Sequence, residues 1–169
     1  FFTVVDPALS KTRGDYTGIV TVGMDPDYSL YVVDARKDRW GVDEVIDNLF
    51  EVQRTWKPRV GIETIFFQKI LLYPIREAMR RHKQSFAITE LRPSSKLTKE
   101  GRISALQEYF SNGSLWIREG MQGLEKELKE FPVGAHDDLL DALAYAVQMA
   151  RPASRVEKVN ENPFQIENI

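Results

Sequence analysis

Five acidic residues, scattered over the chain, stand where secondary structure would deliver them to one place. Asp6 ends the apolar run Phe1-Phe2-Thr3-Val4-Val5, and Glu63 ends a second, Val60-Gly61-Ile62. Asp137, Asp138 and Asp141 open the stretch His136-Asp137-Asp138-Leu139-Leu140-Asp141-Ala142-Leu143-Ala144. A carboxylate at the end of a buried strand is costly to desolvate unless something compensates its charge. Two such strand ends and an acidic helix start imply one shared compensator, a divalent cation held by oxygen ligands, and Mg2+ and Mn2+ are the ions that suit carboxylates. One ion, or two about 4 Å apart, can hold a phosphodiester, activate the attacking water and stabilise the leaving oxygen. Metal-assisted phosphodiester cleavage is therefore the chemistry that these residue types, so spaced, could support.

Asp138 and Asp141 stand at i and i+3 and share a helix face. Asp137 points about 100° away, toward a second ion or into a cap at the positive end of the helix. Asp141, set among Leu and Ala, is hard to explain as surface decoration. Taken singly, Asp6 before Pro7 reads as readily as the start of a turn, and Glu63 as a surface strand end; the joint pattern is the more specific signal. His136 reads first as helix-start packing, with proton transfer beside the acids as the alternative.

These residues need a scaffold. Residues 2–5, 17–24 and 29–35 read as strands, with a polar loop after the first and the turn signal Asp25-Pro26-Asp27 before the third, which predicts an antiparallel meander. The period then changes. Val42, Val45, Ile46, Leu49, Phe50 and Gln53 fit a helix with Asp43 and Glu44 near its positive end. A short strand at 59–63 is followed by a helix at 66–81, which Pro74 should kink or delay, and a strand at 86–91. Residues 98–110 read as a helix with Ile103, Leu106 and Phe110 as its apolar stripe, stopped at Ser111-Asn112-Gly113. A brief strand at 115–117, a helix at 122–130 ended by Pro132, and a last helix at 136–150 complete the pattern. In that last helix Ala142, Ala144 and Ala146 allow close approach to a sheet. Strands first, then alternating helix and strand, predict an α/β fold with a mixed central β-sheet, antiparallel then parallel, flanked by helices. Residues 1–150 form one domain on this reading, and 151–169 a C-terminal tail, flexible or extended.

Composition narrows the function. The 169-residue chain carries a net charge of −2, no Cys and two His, His82 and His136. Thiolate nucleophiles, disulfides and Cys-based zinc sites are excluded, and a His-rich zinc site is disfavoured. No run of about eighteen apolar residues predicts a membrane span. Between Arg76 and Arg102 eight basic residues stand against three acids, a local +5 that could make a basic face beside an acidic centre. Trp40, Trp56 and Trp116 read as core or interface residues. The chain starts within a strand and without Met, which reads as a fragment whose missing part lies N-terminal.

Several segments carry a family likeness. The strand closing on Asp6-Pro7-Ala8, then Gly14-Asp15-Tyr16-Thr17-Gly18-Ile19-Val20, Val60-Gly61-Ile62-Glu63 and the run from His136 to Ala146 resemble, in that order, the nuclease domain of the tailed-phage terminase large subunit. Residues 95–103, followed by Phe110-Ser111-Asn112-Gly113, add to the likeness, which covers roughly residues 1–150. It implies an RNase H-like fold, shared with Holliday-junction resolvases and transposases. It implies that Asp6 is the first-strand metal ligand, Glu63 the acid between two ions, and Asp138 or Asp141 the helix acid, with Asp137 able to stand in for one of them. Asp15 would lie near the metals or be a plain turn acid. Lys96, Lys99 and Arg102 would flank the site and contact DNA phosphates, which position a duplex without reading its sequence; each taken alone reads as helix surface.

The resemblance further implies an endodeoxyribonuclease, dependent on Mg2+ or Mn2+, that cuts concatemeric double-stranded viral DNA with little sequence preference during packaging. Its partners would be double-stranded DNA, the N-terminal ATPase domain of the full-length chain, the portal and the small terminase subunit, in the cytoplasm of an infected bacterium at the procapsid portal. The phosphate-loop motif of such an ATPase does not occur in this chain. The alternatives are a junction resolvase or transposase-like nuclease on the same fold, and a non-catalytic module that docks to DNA or portal.

Overall fold

Period-two alternation sorts each strand's side chains between two faces of a sheet, and this sorting organises the molecule. A computed structural model describes residues 1–8, 16–64, 69–93 and 97–150. The strands are β1 (Phe2–Asp6), β2 (Thr17–Met24), β3 (Leu30–Asp38), β4 (Arg59–Glu63), β5 (Ile88–Leu91) and β6 (Leu115–Ile117). The helices are α1 (Val42–Trp56), α2 (Lys69–His82), α3 (Lys99–Ser104), α4 (Leu106–Ser111), α5 (Gln122–Glu130) and α6 (Asp138–Ala150). The strands form a single six-stranded sheet in the order β5-β4-β1-β2-β3-β6. The first three make the expected antiparallel meander, and β4, β5 and β6 join in parallel pairings. The mixed α/β sheet flanked by helices is thus as expected.

Val5, Ile19, Val60 and Ile62 point to one face and pack with Val45, Leu49, Leu71 and Ile75 of α1 and α2. Val4, Val20, Val22, Leu30 and Val32 point to the other, against α3 to α6. The central element of that second face is α6, with Leu139, Leu140, Ala142, Leu143, Ala144, Tyr145, Ala146 and Val147 all buried. A helix apolar nearly all round belongs in an interior, and its alanines let it lie low on the sheet. Two glycines permit the approach. A Cβ on Gly18 would lie 2.7 Å from the carbonyl oxygen of Asp138, and one on Gly61 would collide with Met149 and come within 2.7 Å of Leu91.

The structure departs from the expected elements in several places. Strand β3 runs on to Asp38 because β2 supplies a partner out to the pair Thr17–Asp38. The helix expected at 98–110 is divided into α3 and α4 at Ala105, whose dihedrals (φ −62°, ψ −20°) are those of a tightened turn. Helix α2 runs through Pro74. Trp40 and Trp56 pack against the α1–α2 core, whereas Trp116 is 54% exposed on β6 at the sheet edge. Residues 66–68 and the tail at 151–169 lie outside the described residues. No described helix is long and apolar enough to cross a membrane.

Candidate metal centre

The site follows from register. Strands β1 and β4 are parallel neighbours, with Val5 beside Ile62, so Asp6 and Glu63 come next in line at the same end of the sheet. Alternation turns both toward α6, because Val5 and Ile62 face α1 and α2. Asp6 also pairs across with Gly18 of β2, the position where the backbone of Asp138 presses on the sheet. The first turn of α6 is thereby laid over the two strand ends, and Asp141, one turn in, faces them. Carboxylate oxygens of Asp6, Glu63 and Asp141 lie within 4.8 Å of one another.

The chain holds this triad from behind. The Tyr145 hydroxyl, one turn beyond Asp141, donates to Glu63 Oε1 at 2.8 Å. Arg102 of α3 is buried and donates through Nε to Asp141 Oδ1 at 2.8 Å, with Nη2 at 2.5 Å from the same oxygen. Its guanidinium lies 4.0 Å from the centre of the Tyr145 ring, a stacked cation–π contact in a water-poor setting. Lys99 Nζ, at the mouth, lies 2.9 Å from Asp137 Oδ1 and 3.5 Å from Asp141 Oδ2. The start of α6 is fixed from another helix: Glu127 of α5 accepts the backbone N–H groups of Leu139 at 2.9 Å and Leu140 at 3.1 Å through one carboxylate oxygen. Its other oxygen pairs with Lys37 of β3. A carboxylate against the orphan N–H groups of a helix start satisfies both their hydrogen bonding and the helix dipole.

The electrostatics are those of carboxylates short of cations. Burial, then the hydrogen bond and charge of Glu63, push the Asp6 carboxyl well above its ordinary range. Burial also raises Asp141, against the opposing pull of Lys99 and Arg102, and burial and the charge of Glu127 raise Asp138. Burial pulls the Lys99 ammonium down, but Asp137, Asp141 and Asp6 outweigh it and hold the group firmly protonated. The triad lies in a cavity of about 680 Å³ that Tyr16, Lys99, His136, Asp137 and Asp138 also line. Among the described residues, Asp138 Oδ2 is buried there without a hydrogen-bond partner. Three converging carboxylates, two of them raised above the ordinary carboxylate range, and a fourth carboxylate oxygen without a hydrogen-bond partner among the described residues fit a divalent cation held by oxygen ligands.

Of the residues expected at the site, Asp6, Glu63 and Asp141 converge. Asp138 and Asp137 line the same cavity outside that group, Asp137 paired with Lys99 and Asp138 3.8 Å from His136 Nδ1. His136 is exposed at the rim with its ring edge against Tyr16. Arg102 is a correction: a DNA-facing cation on a surface stripe was expected, but its side chain is only 4% exposed and is spent on Asp141. Asp15 and Lys96 fall outside the described residues. Sequence reasoning passed over Tyr145 and Glu127. Both carried a signal, since Tyr145 is four residues from Asp141 and Glu127 stands three from Leu124 on a buried stripe.

A mixed sheet whose strand ends and covering helix bring three acids together defines a nuclease-type RNase H fold. Solved structures agree on the fold. The chain is similar to the yeast mitochondrial Holliday junction resolvase Ydc2 (TM-score 0.59, 13% identity, 89% of this chain and 78% of that one). It is similar also to the fowlpox virus resolvase, solved with its substrate Holliday junction DNA (0.56, 12%, 89% and 98%), and to T. thermophilus RuvC with Holliday junction substrate (0.51, 15%, 88% and 92%). No curated protein matches. The family model of the terminase RNaseH-like domain matches residues 3–150, and the chain belongs to that family.

Proposed function

We propose that this chain is the metal-dependent DNA endonuclease domain of a phage DNA-packaging terminase, cutting concatemeric double-stranded DNA with little sequence preference. The observation that carries this reading is the convergence of Asp6, Glu63 and Asp141 within 4.8 Å in a chain of the terminase RNaseH-like family. The three carboxylates would hold one or two Mg2+ or Mn2+ ions, with Asp138, whose Oδ2 has no hydrogen-bond partner among the described residues, as a further ligand for a second. Bound there, such ions supply Lewis-acid stabilisation of the phosphate and an activated water.

The remaining work falls to the protein. Tyr145 takes one oxygen of Glu63 and Arg102 takes one of Asp141, which orients both acids, while Lys99 stands 3.5 Å from the other oxygen of Asp141. Lys99 tempers the negative charge at the mouth and would ease the approach of a polyanion. Gly18 and Glu127 set the height of α6 and hence the distance between its acid and the strand acids. Residues 1–150 would be the catalytic unit and 151–169 a tail, joined in the full-length protein to an N-terminal ATPase domain. That protein would act with the portal and small terminase subunit in the cytoplasm of an infected bacterium.

The test is nicking and linearisation of supercoiled plasmid with Mg2+ or Mn2+. Cutting should vanish with chelator and fall below detection in Asp6→Asn, Glu63→Gln and Asp141→Asn, while far-ultraviolet circular dichroism is unchanged. Intact cutting in any of the three would remove that residue's role. A junction-resolving enzyme is the competing reading, since the fold neighbours were solved as resolvases; four-way junctions cut much faster than linear duplex would favour it.

A further inference from the structure

Of the expected DNA contacts, Arg102 is buried against Asp141, Lys99 is paired with Asp137 at the mouth, and Lys96 lies outside the described residues. The sheet offers another place. At its site end Asp6, Gly18 and Lys37 pair across β1, β2 and β3, with Glu63 next after the last β1–β4 pair, so the charge changes sign along that end of the sheet. Lys37 faces the α6 side, where Glu127 pairs with it. Two residues on, Arg39 shares that side, and the last pair of the ladder, Thr17–Asp38, brings it next to Tyr16. The Arg39 guanidinium lies 5.0 Å and the Lys37 ammonium 5.1 Å from the centre of the Tyr16 ring. The His136 ring abuts Tyr16 edge-on, 4.9 Å between centroids. Tyr16 itself lines the cavity that holds the acids. Arg39 is exposed, and among the described residues its guanidinium has no carboxylate partner.

We propose that the Tyr16–Arg39 corner is the contact for a flanking backbone phosphate of the DNA strand being cut, a reading that rests on the nuclease function above. An arginine fork oriented on an aromatic face loses little freedom on binding and suits a phosphate bidentately. Strands stand about 4.8 Å apart, so β3 lies roughly 10 Å from β1, where Asp6 sits. A strand of duplex carries one charge per roughly 3.4 Å of axis. The guanidinium therefore meets a phosphate close to the scissile one on the same strand rather than the scissile phosphate itself. Contacts of this kind fix register and carry no base information.

The experiment measures duplex DNA binding against salt concentration, with Mg2+ present and in an Asp6→Asn background so that strands stay intact. Arg39→Gln should lower the slope of log K against log salt by about 0.9 and weaken binding about five-fold at 0.15 M salt. Arg39→Lys should restore the slope, and Arg54→Gln, a charge-matched change on α1 across the sheet, should leave it alone. In the otherwise native chain Arg39→Gln should raise KM for cutting with kcat unchanged. An unaltered slope in Arg39→Gln, or an equal loss in Arg54→Gln, overturns the corner while leaving the nuclease reading intact. A parent chain that neither binds nor cuts duplex sinks both.

Discussion

The two faces of the sheet are built from the same strands and do different work. Toward α1 and α2, Val5, Ile19, Val60 and Ile62 pack with apolar helix residues. Toward α6, the alternate positions carry Val4, Val20 and Val22 but also Asp6, Gly18, Gly61 and Glu63, whereas the bond between Thr3 and Thr21, 2.7 Å across the ladder, lies on the side of Val5 and Ile19. Both faces carry an apolar core; the α6 face in addition assembles carboxylates at one end, with a buried guanidinium as partial counter-charge. A one-residue slip of β1 would exchange them.

If that division is right, equal damage to the two faces should have unequal consequences. Arg102→Ala should destabilise the metal-free protein by about 3–5 kcal/mol, because it leaves the buried Asp141 with only Lys99, 3.5 Å away at the mouth, as counter-charge. Leu71→Ala, in the opposite core, should cost about 2–5 kcal/mol through lost burial and a cavity. Denaturant melts measure both. The comparison sharpens when cutting is normalised to folded protein: the Leu71 variant should keep its activity and the Arg102 variant lose it. Equal losses per folded molecule would break the distinction.

A smaller effect is expected at Gly18. The added methyl of Gly18→Ala meets backbone, which yields less readily than a side chain, so α6 must lift and the stability cost is about 1–3 kcal/mol. Because the lift separates Asp141 from Asp6, cutting should drop far more than stability does. An active Gly18→Ala variant would show that helix height is not what sets the site.

The mildest lever is pH. Asp6, Asp138 and Asp141 are raised above ordinary carboxylate values, so between about 4 and their raised values the folded chain holds protons that the unfolded chain has released. Metal-free stability should then fall as pH rises through that window, by at most about 1.4 kcal/mol per unit for each proton. A divalent ion displaces those protons, so stabilisation by Mn2+ should grow with pH over the same window. Thermal melts with chelator and with Mn2+ at pH 5 and pH 8 decide it; an equal shift at both would contradict the raised carboxyls.

How much of this was legible in the sequence follows from what alternation and helical spacing can carry. Asp6 and Glu63 were visible because each ends an apolar run, and runs of that kind become strand ends. Which of Asp138 and Asp141 would converge with them was not, since i and i+3 share a face; Gly18 brings the backbone of Asp138 onto β2, and Asp141 is the one whose carboxylate lies within 4.8 Å of the strand acids. Arg102 was misread because it was judged by its charge. Its position beside Ile103 and four residues before Leu106 placed it on a buried stripe. Lys37 and Arg39 gave no local sign of lying near the site, because their nearness to Tyr16 comes from the ladder between β2 and β3, a non-local pairing. Glu127 as a cap for α6 likewise depends on how two helices meet.

The central claim is that Asp6, Glu63 and Asp141 form one cation site, and a Mn2+-soaked crystal examined by anomalous diffraction tests it most directly. The account predicts a peak in contact with carboxylate oxygens of all three, lost in Asp6→Asn. A crystal at saturating Mn2+ with no peak there, or with its peak held by other residues while this triad keeps its hydrogen bonds and stays metal-free, would contradict it.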